Sequence, residues 1–256
     1  MSRPAIETQS LTKTYGGSRA LDDLTLSIPS GSVYGFLGPN GAGKTTTMRI
    51  LTTLTEPTSG DAWVMGDSIA DRQAVVSHVG YLPETPPVYD ELTAREQLHY
   101  LADLRGLPSG ERARIDDLLE RFDLVDAADD AIRTYSKGMR QKTALAGTVL
   151  QDPDVVFLDE PTSGLDPRAA RTVRDLIAEL ASEGRTVFLS THILPVVEEL
   201  ADTVGMMNEG RLVAEGTPTE LKRRAETGAE RTLEDVFLDV TGDEAWEPPA
   251  VADHGE

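Results

Sequence analysis

GFLGPNGAGKTTTMRIL, residues 35–51, is the stretch from which the fold is read. An apolar run, Val33 to Leu37, enters Gly38-Pro39-Asn40-Gly41-Ala42-Gly43-Lys44-Thr45, a complete match to the phosphate-loop pattern G-x-x-x-x-G-K-[ST]. The pattern is informative only with a strand before it and a helix after it, and the texture of both flanks fits. Glycines at 38, 41 and 43 let the backbone curl so that successive N–H groups point inward, and their missing side chains are expected to leave room for a polyphosphate. The helix that continues through Thr46 adds the positive end of its dipole. Lys44 is then expected on the β/γ-phosphates, with the Thr45 hydroxyl on a magnesium ion.

Working outward, composition bounds the answer. The 256 residues suffice for one large α/β domain or two small ones, and 39% hydrophobic residues can fill a core. No run approaches the roughly 20 apolar residues of a membrane span, and MSRPAIETQS lacks the apolar stretch of a secretory signal, so a cytoplasmic protein is expected. Without cysteine there is neither a disulfide nor a Cys-zinc site. A net charge of -20 argues against nucleic acid as a partner, because phosphate backbones demand basic surface. Lysine is scarce, at Lys13, Lys44, Lys137, Lys142 and Lys222. Either a salt-rich cytoplasm or a high-GC, arginine-preferring genome accounts for that balance.

Along the chain, alternation at Leu24, Leu26 and Ile28 and the break at Tyr15-Gly16-Gly17-Ser18 predict short antiparallel strands over residues 5–28. A short strand around Trp63-Val64-Met65 is expected between turns. From Glu91 the texture is helical: Thr93 to Glu96 forms a capping box, and Ile115, Leu118, Leu119 and Phe122 share a face. Val155 to Leu158 and Thr186 to Ser190 read as buried parallel strands joined by a helix that Gly184 stops. Asn208-Glu209-Gly210 signals a hairpin, and helical stretches follow near 219–225 and 233–238. Residues 241–256 are acidic and poor in apolar side chains, and are expected to be a disordered tail. Asp159, closing a buried strand, is placed to hold magnesium through water, and Glu160 beside it to orient and deprotonate the attacking water.

Tyr135-Ser136-Lys137-Gly138-Met139, Leu158-Asp159-Glu160-Pro161-Thr162, Ser163-Gly164-Leu165-Asp166 and His192 together resemble the nucleotide-binding subunit of an ABC transporter over roughly residues 5–240. The resemblance implies an α/β fold: a P-loop NTPase core with a parallel sheet, an antiparallel β N-terminal subdomain, and a helical subdomain inserted at about 88–150, within an ATPase domain spanning 1–240. It implies ATP and Mg2+ as ligands. Tyr15 resembles the aromatic that stacks on adenine, and His192 the switch histidine at the γ-phosphate. Ser136 and Gly138 match the signature that contacts nucleotide on the other subunit, although Ser136 is also a ready N-cap. Asp166 resembles the loop that communicates across the dimer, and is equally an N-cap for the Pro167 helix.

Two departures stand out. The signature has Lys137 and Met139 where glycine and glutamine are common, and Glu84 replaces the usual glutamine that senses magnesium and water. Both, with the ending Leu233 to Leu238, resemble exporter subunits whose membrane part is a separate polypeptide. The resemblance therefore implies a homodimer or heterodimer in the ATP-bound state, a membrane-spanning permease partner, and a position on the inner face of the cell membrane. An assembly ATPase, such as that of iron–sulfur cluster building, is the alternative.

Overall fold

The computed structural model describes residues 3–108, 114–224 and 232–241. The expected tail, 241–256, lies outside the described residues except for Thr241. Among the described residues no helix is long and apolar enough to cross a membrane.

Two sheets share the core. The first is antiparallel, in the order β2 (Ser18–Pro29), β1 (Pro4–Tyr15), β4 (Ser59–Val64), β5 (Asp67–Ser68). β1 and β2 have 12 residues each, longer than the short strands expected from sequence. Register shifts along their pairing and left-handed backbone at Ser10 and Asp23 interrupt the period-two alternation, which hides the strands' true length.

The second sheet runs β10 (Arg211–Gly216), β9 (Thr203–Asn208), β3 (Val33–Leu37), β8 (Thr186–Thr191), β7 (Val155–Asp159), β6 (Val79–Leu82). It is parallel from β9 to β6, and β10 adds an antiparallel edge through the Glu209-Gly210 turn. Both turn residues have positive φ, the backbone that a two-residue hairpin loop demands.

The buried strands carry different side chains on their two faces. Tyr34, Phe36, Phe157 and Phe188 cluster toward the antiparallel sheet and α1 (Lys44–Leu51), with Phe36 and Phe188 ring centroids 5.0 Å apart. Val33, Leu37, Val156, Leu158, Val187 and Leu189 face the helices on the other side. Those are α6 (Pro167–Ser182) and α7 (Leu194–Leu200), with α8 (Pro218–Arg224) and α9 (Leu233–Thr241) beyond. α7 crosses β3 at Gly35, where a Cβ would lie 2.7 Å from Val197 Cγ1. α2 (Arg72–His78) leads into β6.

Between β6 and β7 stand α3 (Ala94–Leu104), α4 (Arg114–Arg121) and α5 (Lys137–Val149). The capping box at Thr93 is present, its hydroxyl accepting from Glu96 N–H while the Glu96 carboxylate accepts from Thr93 N–H. Both bonds satisfy donors that the first helical turn would otherwise leave open.

Candidate functional site

β3 ends at the centre of the parallel sheet, so the loop that follows opens beyond the carboxyl edge of the strands, where an open α/β sheet places its ligands. A pocket of about 280 Å³ lies there. Asn40, Gly41, Gly43, Lys44, Thr45 and Thr46 line one side, and Glu84, Asp159, Glu160 and His192 the other.

The loop's glycines serve different ends. Gly41 has φ +84° with open space where a Cβ would stand, so its backbone conformation is what requires glycine. A Cβ on Gly38 would lie 2.6 Å from the Met207 carbonyl, and one on Gly43 2.6 Å from the Ala20 carbonyl. Those two glycines admit neighbouring backbone, and Gly43, at φ +106°, also holds a left-handed conformation. The Gly210 N–H completes the backing by donating to the Ala42 carbonyl at 3.0 Å.

Lys44, only 6% exposed, donates to the carbonyls of Gly38 (2.6 Å) and Pro39 (3.1 Å) and stands 3.9 Å from Glu160 Oε1. Burial lowers its pKa, while Glu160, Asp159 and Glu84 pull the other way. Thr45 Oγ1 donates to Asp159 Oδ2 at 2.8 Å, so the helix start and the end of β7 meet through one hydrogen bond.

Glu160, 7% exposed, holds φ at +49°, a left-handed backbone unusual for a residue with a side chain. Its N–H donates to the Ser190 carbonyl at 2.9 Å and its carbonyl accepts from Ser163 N–H at 3.1 Å, so the strain is held by both neighbours. Oε1 accepts from His192 Nδ1 at 2.9 Å, and Oε2 accepts from Thr191 Oγ1 at 3.1 Å. A carboxylate only accepts, which puts the imidazole proton on Nδ1. That hydrogen bond raises the His192 pKa above its ordinary value, against the opposing effect of burial.

The other residues singled out in the sequence stand off the pocket lining. Tyr15 is 46% exposed at the β1–β2 turn, with Lys13 Nζ 4.9 Å from its ring centroid. Pro39 and Ala42 contribute backbone to the loop. Ser136 is the N-cap of α5 and accepts from Met139 N–H at 3.2 Å. A Cβ on Gly138 would lie 2.8 Å from Ala169 Cβ, so this glycine lets α5 approach α6. Asp166 caps α6, accepting from Arg168 and Ala169 N–H.

Sequence reasoning quoted Ser163 as part of a motif without giving it a role, and did not single out Ala20 or Thr191. Ala20 and Ser163 line the pocket, and Thr191 holds Glu160. Ser163 and Thr191 had a signal, being polar residues directly after motif residues or at a buried strand's end, whereas alanine on a β-strand carries none.

A family model described as ABC transporter matches residues 21–163. The daunorubicin resistance ATP-binding protein DrrA3 of Streptomyces coeruleorubidus is 43% identical over 244 residues, covering 94% of this chain and 76% of the relative. The bacitracin transport ATP-binding protein BcrA of Bacillus licheniformis is 39% identical over 232 residues, 90% of this chain and 75% of that one. A solved structure, described as the ATP binding subunit of an ABC transporter, superposes with a TM-score of 0.82 at 32% identity, covering 92% of this chain and 99% of that one.

Proposed function

The chain belongs to the ABC transporter family, and on that premise we propose that this ATP-hydrolysing transporter subunit performs its chemistry in the pocket around Lys44 and Glu160. The observation that carries the reading is the convergence of a buried cation, a buried carboxylate and the Thr45–Asp159 pair on one pocket at the end of the parallel sheet. Lys44 would exchange its two carbonyl partners for phosphate oxygens, a stronger, charge-assisted contact. Magnesium fits the donor set, since Thr45, Asp159 and Glu84 offer only hard oxygens. When bound it would neutralise charge developing on the phosphates.

Glu160 takes the proton of the attacking water as the water oxygen bonds to the γ-phosphorus. The bond to the β-phosphate oxygen breaks, giving ADP and inorganic phosphate. His192, with Nδ1 committed to Glu160, keeps Nε2 for a phosphate oxygen. Tyr15 would stack on the base. Ser136, Gly138 and Asp166 lie off this pocket, which suits a head-to-tail dimer of ATPase domains (residues 1–240) in which they meet the partner's nucleotide. ATP favours that closed form, and hydrolysis reopens it. The helical insertion at about 88–150 then passes the motion to a membrane-spanning permease on a separate polypeptide, with this subunit peripheral on the cytoplasmic face. The relatives named for drug resistance and bacitracin transport favour export over cluster assembly.

Glu160→Gln is the test. Hydrolysis should fall by at least about a hundredfold with nucleotide affinity retained. The variant should accumulate as an ATP-bound dimer on size-exclusion chromatography, and adding Ser136→Arg should disperse it. Normal turnover in the single variant would remove Glu160 from the chemistry, and a monomer with ATP bound would sink the dimer.

A further inference from the structure

We infer that Thr191 is a positioning residue for the reaction: its hydroxyl fixes the Glu160 carboxylate so that Oε1 is held toward the pocket while Oε2 is anchored within the protein. The inference rests on Glu160 being the group that handles the water's proton.

β8 ends on two hydroxyl residues, and strand alternation sends them to opposite faces. Ser190 is registered against Asp159, whereas Thr191 shares the face of Val187 and Leu189. Thr191 is wholly buried. Its oxygen accepts the Ile193 N–H at 3.1 Å, and it donates its single hydrogen to Glu160 Oε2 at 3.1 Å. The hydroxyl therefore points one way. With Oε2 anchored, the carboxylate plane is set, and Oε1 is left beside His192 Nδ1 (2.9 Å) and Lys44 Nζ (3.9 Å), both residues of the pocket wall. A misplacement of about an ångström at a reacting group can cost on the order of a hundredfold in rate, which makes such an anchor consequential.

Thr191→Val removes the hydroxyl at nearly constant volume, Thr191→Ser keeps it, and Thr191→Ala repeats the deletion without relying on how valine packs. Single-turnover hydrolysis and ATP affinity should be measured for each, and again with Thr191→Val in the Glu160→Gln background. Losing a hydrogen bond to a charged group predicts a rate lower by about tenfold or more in Thr191→Val and Thr191→Ala, with affinity changed by less than about twofold. Thr191→Ser should stay within about threefold of wild type. In the Glu160→Gln background the valine should add less than about twofold, because a residue that acts through Glu160 has nothing left to act on. An undiminished rate in Thr191→Val, a serine variant as slow as the valine, or the same loss in both backgrounds would overturn this inference alone. Wild-type turnover in Glu160→Gln would overturn the reading of Glu160 and this inference with it.

Discussion

His192 ties the chemistry of the site to the stability of the fold at the level of a single proton. Its hydrogen bond to Glu160 raises its pKa, and burial opposes without reversing the shift. A histidine whose folded value lies above its unfolded value stabilises the fold at pH below the unfolded value, and that contribution is lost as pH rises through the folded one. The melting temperature of the nucleotide-free protein should therefore decline as pH rises from about 6.5, the ordinary histidine value, through the raised folded value. His192→Gln should flatten the decline, because a glutamine amide can still donate to Oε1 but does not titrate. Equal pH slopes in the two proteins would mean that the imidazolium contributes nothing to folding. The same proton bears on function, since a charged ring places a cation next to both Glu160 and the phosphate site.

Between elements, the phosphate loop depends on a hairpin far from it in sequence. The Gly210 N–H donates to the Ala42 carbonyl, the Gly210 carbonyl accepts from Asp22 N–H, and the Met207 carbonyl closes on Gly38. Gly210 has φ +79°, and a Cβ there would lie 2.9 Å from the Ala20 carbonyl. Gly210→Ala should cost about 1–3 kcal/mol of stability through backbone strain. It should also weaken ATP binding by roughly tenfold, because the turn must move away from the loop it supports. A lowered denaturation midpoint with unchanged ATP affinity would show that the turn does not position the loop. Such backing was beyond the reach of sequence: Ala20 and Met207 act through backbone carbonyls that any residue type would present, and the glycine of the 208–210 turn announces a hairpin but not its contact with the phosphate loop. The strand–loop–helix of residues 33–51, Asp159 closing β7 with Glu160 directly after it, the Thr93 box and the 208–210 turn were legible because each is fixed by local chemistry at short spacing. β6 was missed for the opposite reason. Val79-Gly80-Tyr81-Leu82 is short and contains a glycine, and it becomes a strand only because β7 offers it an edge. At Gly80 a Cβ would lie 2.4 Å from the Thr148 carbonyl, so this glycine is a packing requirement of α5 that four residues of sequence do not announce.

Across the whole molecule, two apolar clusters are wrapped in an acidic surface, and salt should act in opposite ways on the attractive pairs of that surface and on its net charge. The surface has attractive pairs. Arg95 reaches Asp116 and Asp129, Arg121 reaches Glu179 and Glu183, and Arg19 and Arg211 converge on Asp22. These pairs lie at the surface, each around a half-buried residue, and surface pairs are worth about 0–1 kcal/mol each and weaken in salt. Opposing them is the repulsion among 44 carboxylates balanced by only 24 lysines and arginines. That excess is long-ranged in dilute buffer, where the screening length is about 30 Å at 0.01 M, and is nearly abolished at 1 M, where it is about 3 Å. Relief of the repulsion should therefore outweigh the lost pairs, and the melting temperature should rise with potassium chloride. The shape of the rise identifies its cause. Screening should deliver most of the gain below about 0.5 M and then level off, whereas stabilisation by exclusion of solute from the surface keeps growing with concentration and is reproduced by sucrose, which carries no charge. A melting temperature independent of salt, or one that climbs only above about 1 M and equally in sucrose, would assign the composition to codon preference rather than to a salt-rich cytoplasm.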